Sequence, residues 1–340
     1  MPSEKTKVTI YDVAAHANVA ISTVSRVLNN SSDVSQHTRA KVLEAIDTLK
    51  FRPDRTAKTL AQQKTQALAV AIPSFTTPFH NELLKGVRTA MANADLDLLL
   101  CDLGSKHPRQ TLLNFLDRGA VDGLLLVGVP VDDDLQEELH ALRAPVVLVG
   151  NAREGYDGFI WDDYAGAQAA AMHLLDLGHS RIAMIRAHTE SELLNSRIRG
   201  FRDALNNAGV GLRDDYLVAG ETAKHAGFSE EAGGEAMIKL LGLDEPPTAV
   251  FASSDVQALG AWKAAVDSGV KIPSSMAVMG YDDIKMSRYI GLTSVDQRTQ
   301  EIGQKATELL LDRINKSNKN PSSTHQVVPE LHVRRSTVSD

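Results

Sequence analysis

Residues 9–61 read TIYDVAAHANVAISTVSRVLNNSSDVSQHTRAKVLEAIDTLKFRPDRTAKTLA, and their apolar spacing organises the start of the chain. Thr9 is placed to cap a helix over Ile10–Ala17, with Asp12 in its first turn, where the helix dipole favours negative charge. Asn18 tolerates the left-handed backbone that a tight turn needs. A second helix follows over roughly Ile21–Leu28, with Val24, Val27 and Leu28 at helical spacing. Ser35 opens a third, on which Val42, Leu43, Ile46 and Leu49 form one apolar stripe. Two helices joined by a tight turn and buttressed by a third make a helix-turn-helix plan, and the same pattern also describes a small protein-binding bundle. After Pro53, DRTAKTLAQQ favours a helix of about two turns, too short to be stable unless something packs on it. It reads as a hinge.

From Ala67 onward the pattern changes. Apolar runs at 67–73, 96–103, 121–128, 145–150, 181–187, 248–254 and 276–281 alternate with helical segments such as Asn81–Asn93, Gly166–Leu177 and Asp255–Ser268. This βα alternation predicts an α/β body of parallel sheets covered by helices on both faces. About 270 residues is long for one such sheet, so two lobes are expected. Their join falls near residue 162, with a return crossing near LTSVDQ (292–297).

Composition narrows the function. The 340 residues carry a net charge of −7, yet residues 1–64 hold ten Lys and Arg against six acids. The head is therefore +4 and the remainder −11, a distribution that points to a polyanion at one end. Chance clustering of surface lysines gives the same count. The single cysteine, Cys101, excludes an intramolecular disulfide framework and fits a reducing compartment. No apolar run is long enough to span a bilayer, and the opening MPSEKTKVTIYDV has no signal core, so a cytoplasmic chain without a membrane partner is expected. No GxSxG, HExxH, CxxC or Walker A pattern occurs. The expectation is therefore no enzyme, no catalytic residue, no metal and no cofactor. Paired acids at 162–163, 282–283 and 132–134 read as solvated turns.

Residues 9–61 closely resemble the DNA-binding head of the lactose/galactose-repressor (LacI/GalR) family of bacterial transcription regulators. The resemblance extends through VDGLLL, LGHSRIAMI, RIRGF, PTAVFASSDVQALGA, GYDD, LTSVDQ and a terminal RRST, and so covers essentially the whole chain. It implies a dimeric repressor-type protein with a helix-turn-helix head and a two-lobed body like periplasmic sugar-binding proteins. Its partners would be double-stranded operator DNA, a second copy of the chain and a small effector, a sugar or sugar derivative. A solute-binding protein without DNA function, or a regulator controlled by a partner protein, is the competing reading. The head would span 1–53 and the hinge 54–65. The body would span 66–340, with one lobe at about 66–161 and 293–325 and the other at about 162–292 and 326–335. The chain stops just after the terminal motif, without the leucine-heptad tail of tetrameric relatives, so a dimer is expected.

The resemblance also implies site residues. Ile21 and Ser22 match the positions that vary with operator sequence, and Arg26 extends the reading surface, where an arginine suits guanine O6/N7. Thr23, Ser25, Asn29 and Thr38 match phosphate-positioning groups, with local capping the alternative for Ser25 and Thr38. Ala20 departs from the family's hydroxyl cap, a loss of ~1 kcal/mol. Leu60 matches the hinge leucine that wedges into the minor groove, beside Ala57 and Lys58. For the effector, Arg197 matches the ligand-gripping arginine and Asp282 its acidic partner, with a surface salt bridge and a structural turn as the respective alternatives. Ser74 and Phe79 match the wall of the first lobe, and Thr222 and Ser254 that of the second. Trp161 replaces an aspartate of many relatives and reads either as a sugar-stacking face or as hinge packing, so no relative's effector is carried over.

Overall fold

The computed structural model describes residues 8–28, 31–52, 65–104, 106–119, 121–189, 191–317 and 320–338. The chain divides into two compact units, 1–65 and 66–340. In the first, helices α1 (Ile10–Ala17), α2 (Ile21–Leu28) and α3 (Gln36–Leu49) enclose a small core of Val13, Ala14, Val24, Val27, Val42, Ala45 and Phe51. The local signals act as expected. The Thr9 amide and hydroxyl both donate to the Asp12 carboxylate at 2.7 Å, and Asn18 ends α1 in the left-handed region with φ 51°. Ser35 caps α3 by accepting from the Thr38 amide.

The second unit holds two six-stranded sheets. The strands are β1 (Ala67–Ile72), β2 (Asp97–Asp102), β3 (Gly123–Val127), β4 (Val146–Val149), β5 (Asp157–Trp161), β6 (Ile182–Arg186), β7 (Leu217–Ala219), β8 (Ala249–Ala252), β9 (Ala277–Tyr281), β10 (Thr293–Asp296), β11 (Thr324–Val327) and β12 (Glu330–His332). The helices between them are α4 (Pro78–Ala90), α5 (Pro108–Leu116), α6 (Asp133–Ala141), α7 (Asp163–Asp176), α8 (Glu192–Asn207), α9 (Glu230–Leu241), α10 (Asp255–Asp267), α11 (Lys285–Ile290) and α12 (Thr299–Ile314). One sheet runs β11-β5-β4-β3-β1-β2 and the other β12-β10-β9-β8-β6-β7, parallel throughout except for β10 with β12.

Because side chains alternate across a strand, β1 serves two cores at once. Leu68, Val70 and Ile72 face α4 and α12, while Ala69 and Ala71 face α5 and α6. The other sheet is covered likewise by α7 with α8 and by α9 with α10. Two glycines let α4 and α12 touch backbone to backbone. A Cβ on Gly86 would lie 1.9 Å from the Gln300 carbonyl oxygen, and one on Gly303 would lie 2.2 Å from that of Leu83.

The expected return to the first lobe at residue 293 is corrected by the pairing. β10 bonds to β9 and belongs to the second sheet, so the chain returns after Asp296, and β11 keeps residues 324–327 in the first sheet. The polar LTSVDQ segment resembles a linker in composition, but Thr293, Ser294 and Val295 are fully buried strand residues. No helix among the described residues is long and apolar enough to cross a membrane.

Candidate functional site

At the first unit, α2 divides its residues cleanly. Val24 and Val27 enter the core, whereas Ile21, Ser22 and Arg26 are exposed and Thr23 and Ser25 half-buried. Ala20 has no side-chain oxygen to cap α2, and the Thr23 and Val24 amides donate to its carbonyl. The Thr38 hydroxyl accepts from the Ser35 hydroxyl at 2.9 Å, so the capping role is filled in this structure. Asn29, Ala57, Lys58 and Leu60 lie outside the described residues.

The second site is a chain of buried polar groups where the two lobes meet. Arg197, on α8, is 3% exposed and gives away three donor directions. Its Nε donates to Asp163 at 2.8 Å, one terminal nitrogen to the Ser253 carbonyl at 2.6 Å, and the other to Gln297 Oε1 at 3.3 Å. Its guanidinium lies 3.7 Å from the centre of the Tyr281 ring, and the Tyr281 hydroxyl donates to Asp163. The Gln297 amide nitrogen donates to Asp282 at 2.6 Å, and the Trp161 Nε1 donates to the Gln297 carbonyl at 2.7 Å. Phe79 meets Trp161 edge-on at 5.8 Å. Residues from α8, α7, β9, the β10–α12 crossover and β5 thus converge on one place.

Electrostatics follow from this burial. Burial works against the Arg197 charge, but Asp163, with help from Tyr281 and Asp282, holds the guanidinium protonated above its ordinary range. Burial pushes the Asp282 carboxyl well above the usual carboxylate range, Arg197 opposes this, and neighbouring Asp255 reinforces it. Burial brings His80 down to about 4, so its ring is neutral at pH 7 and bonds through Nδ1 to the Thr77 hydroxyl at 2.6 Å. Asp282 and Asp283 both adopt positive φ, 115° and 49°, which side-chain-bearing residues reach only at a cost in strain. Burial raises the Asp283 carboxyl, but Arg334 and His332 more than offset it, and the group stays below its ordinary range.

The structure therefore brings Phe79, Trp161, Arg197 and Asp282 together, with Ser254 one residue from the carbonyl that Arg197 grips. Ser254 caps α10 through the Gln257 amide. Ser74 bonds to the Thr76 hydroxyl in the loop before α4. Thr222 stands apart from the chain of contacts, because its hydroxyl and amide are both committed to Glu235. The sequence reading missed Asp163, Tyr281, Ser253 and Gln297. It took paired acids for solvated turns, but Asp163, Asp282 and Asp283 are all buried, and only Asp132–Asp134 remain on the surface. The available signal was the division of labour at 162–163, where Asp162 caps α7 and leaves Asp163 free for Arg197.

Comparisons with known proteins agree at both ends. Residues 9–54 match the family described as bacterial regulatory proteins, lacI family, and residues 171–337 match a periplasmic binding protein-like domain. Catabolite control protein A of Priestia megaterium is 34% identical over 336 residues, 97% of this chain and 99% of that protein. The transcriptional regulator CelR in complex with cellobiose is 31% identical, covers 97% of this chain and 100% of its own, and superposes with a TM-score of 0.69. The lac repressor dimer bound to operator and the anti-inducer ONPF is 26% identical, covers 98% and 100%, and superposes with a TM-score of 0.81.

Proposed function

The chain belongs to the LacI family of bacterial regulatory proteins, and on that premise we propose a cytoplasmic, homodimeric transcriptional repressor that binds a pseudo-palindromic operator and is controlled by a sugar or sugar derivative. It is a regulator and not an enzyme. The observation that carries the reading is the division of α2, whose core side is filled while Ile21, Ser22 and Arg26 are left outward. That face suits base edges in a major groove, with Thr23, Ser25, Asn29 and Thr38 positioning phosphates and Ala57, Lys58 and Leu60 of the hinge in the minor groove. Residues 1–53 form the reading head, 54–65 the hinge, and the remainder the effector and dimer body.

The effector lies against the Arg197–Gln297–Asp282 chain, with Phe79 and Trp161 as the apolar wall, Ser74 and Ser254 at its margins and Thr222 farther out. Sugar recognition needs such a combination of planar donors, carboxylates and aromatic faces. The second copy covers the outer edge of β2, where Leu98, Leu99 and Leu100 are 37–43% exposed and, among the described residues, no further strand pairs. An uncovered apolar edge of this kind invites association.

The test selects tight binders from random duplex DNA with the full-length protein, then measures affinity with and without cellobiose. A site with dyad symmetry and an affinity that falls steeply from about 50 to 200 mM salt are expected. A footprint without a dyad, or a flat salt dependence, overturns the DNA reading. If cellobiose leaves operator affinity unchanged, a panel of other sugars decides the effector half.

A further inference from the structure

We propose that Asp255 is a positioning residue that ties the effector-facing Asp282 to helix α11 and, through α11, to the opposite lobe. This rests on the interlobe chain being the effector site. Asp255 opens α10, is completely buried, and among the described residues has no cation as a hydrogen-bond partner. Its Oδ1 accepts from the Ser294 hydroxyl at 2.6 Å, and its Oδ2 accepts from the Ile284 amide at 2.8 Å and the Ser287 hydroxyl at 2.6 Å. The Ser294 oxygen in turn accepts from the Asp283 amide, which leaves its proton for Asp255. Hydroxyl contacts of 2.6 Å are the length expected for bonds to an ionised carboxylate.

These bonds grip the strained turn from both sides. The Asp255 backbone lies close enough to the Asp282 carboxyl to favour its charged form, and the Asp255 side chain holds Ile284, two residues on. Even the facing strand is shaped for it, since a Cβ on Gly280 would lie 2.2 Å from Asp255 Oδ1. Beyond the turn, α11 reaches across to the other lobe, where the Lys285 amide donates to Glu82 of α4 at 3.4 Å. A shift of Asp282 on ligand uptake is therefore passed to α11 rather than absorbed by a soft loop, because the intervening groups have few alternative partners.

An ionised Asp255 accepts all three donors, whereas a protonated one places a hydrogen where a donor already sits. Burial pushes its carboxyl up to about 7, against the pull of Ser287, Ser294 and the Ile284 amide. The titratable and charged groups around it are Asp282, backed by Arg197, and Asp283, held by Arg288, Arg334 and His332, with Asp296 farther along β10. All but Asp255 keep their partners in the variants below.

Hydrogen exchange of the full-length protein tests this, read on peptides covering 284–290 and 255–267 and corrected for intrinsic rates. In the parent, protection of 284–290 is expected to fall about tenfold from pH 8 to pH 6. Ser287→Ala should lose about tenfold at pH 8 while 255–267 stays within twofold, and Asp255→Asn should be low and flat with pH. Glu82→Ala should speed exchange at the start of α11 alone. If Asp255→Asn does not fold, Ser287→Ala and Glu82→Ala still decide. Parent-like exchange in these variants overturns the proposal, as does a loss spread evenly over the lobe, which would mark a purely structural role. With cellobiose as probe, 284–290 should gain protection in the parent but not in Ser287→Ala. If cellobiose fails to bind the parent, the panel of other sugars decides the sugar reading, and the ligand-free exchange results still judge Asp255.

Discussion

Replacing Arg197 by alanine removes the central cation of the interlobe site, and the structure sets the expected size of the effect. The side chain is 3% exposed and its partner Asp163 is 7% exposed, so neither group falls back on water when the other is lost. Breaking a buried pair by deleting one partner costs about 3–5 kcal/mol, because a charge is left uncompensated. Among the described residues Asp163 then keeps only the Tyr281 hydroxyl, and the Ser253 carbonyl and Gln297 Oε1 each lose a donor as well. We expect Arg197→Ala to lower the unfolding free energy of the body by about 4 kcal/mol, with an unchanged denaturant slope. Urea unfolding followed by tryptophan fluorescence measures it. Asp163→Ala should cost a similar amount, and the double variant about 3 kcal/mol less than the sum, since the pair is broken only once. A loss below about 1 kcal/mol in Arg197→Ala would refute the argument and mean that water enters the site freely. The same geometry constrains ligand binding: three of the five Arg197 N–H donors are committed inside the protein, so an effector would be gripped by the second N–H of each terminal nitrogen.

Three other outcomes are expected. Gly86→Ala should destabilise the first lobe by several kcal/mol or prevent folding, because the new methyl meets a carbonyl oxygen rather than a flexible side chain; thermal melts compare it with Gly119→Ala, whose Cβ would meet nothing. His80 titrates at about 4 when folded against about 6.5 unfolded, so the unfolded chain takes up the proton first. Its contribution is intact above pH 6.5 and fades as pH falls toward 4, by up to ~3 kcal/mol, and His80→Phe should flatten that part of the stability–pH curve. Leu99→Asp on the outer edge of β2 should raise the dimer dissociation constant at least a hundredfold in sedimentation without changing the fold, and an unshifted dimer would place the interface elsewhere.

The sequence reading succeeded where local chemistry decides. The limits of α1 and α2 follow from a cap, a left-handed Asn18 and apolar spacing, all written within a few residues. The resemblance also singled out Arg197 and Asp282, which the structure links through Gln297, but their surroundings depend on contacts between residues far apart in the chain. Asp163 lies 34 residues from Arg197, and Gln297 lies 100 residues from it, so no periodicity connects them. The misplaced return crossing has a similar cause. β10 carries Thr and Ser because these side chains donate to the terminal Arg334 segment and to Asp255, and Asp because it accepts from the Arg298 amide, so it lacks the apolar look of a central strand.

The interleaving of β10, α12, β11 and β12 between the two sheets also governs how the protein can be made. The face of β1, β3 and β4 formed by Leu68, Val70, Leu125 and Val147 is closed by Ile302, Ala306 and Leu310 of α12. About 150 residues separate the end of β5 from the end of α12, which at about 5–20 residues per second is roughly 8–30 s of translation. Through that interval α4 covers only its own part of this face, and the nascent first lobe leaves the part that α12 closes uncovered. It should depend on holding chaperones, and it should aggregate when elongation stalls between β9 and α12.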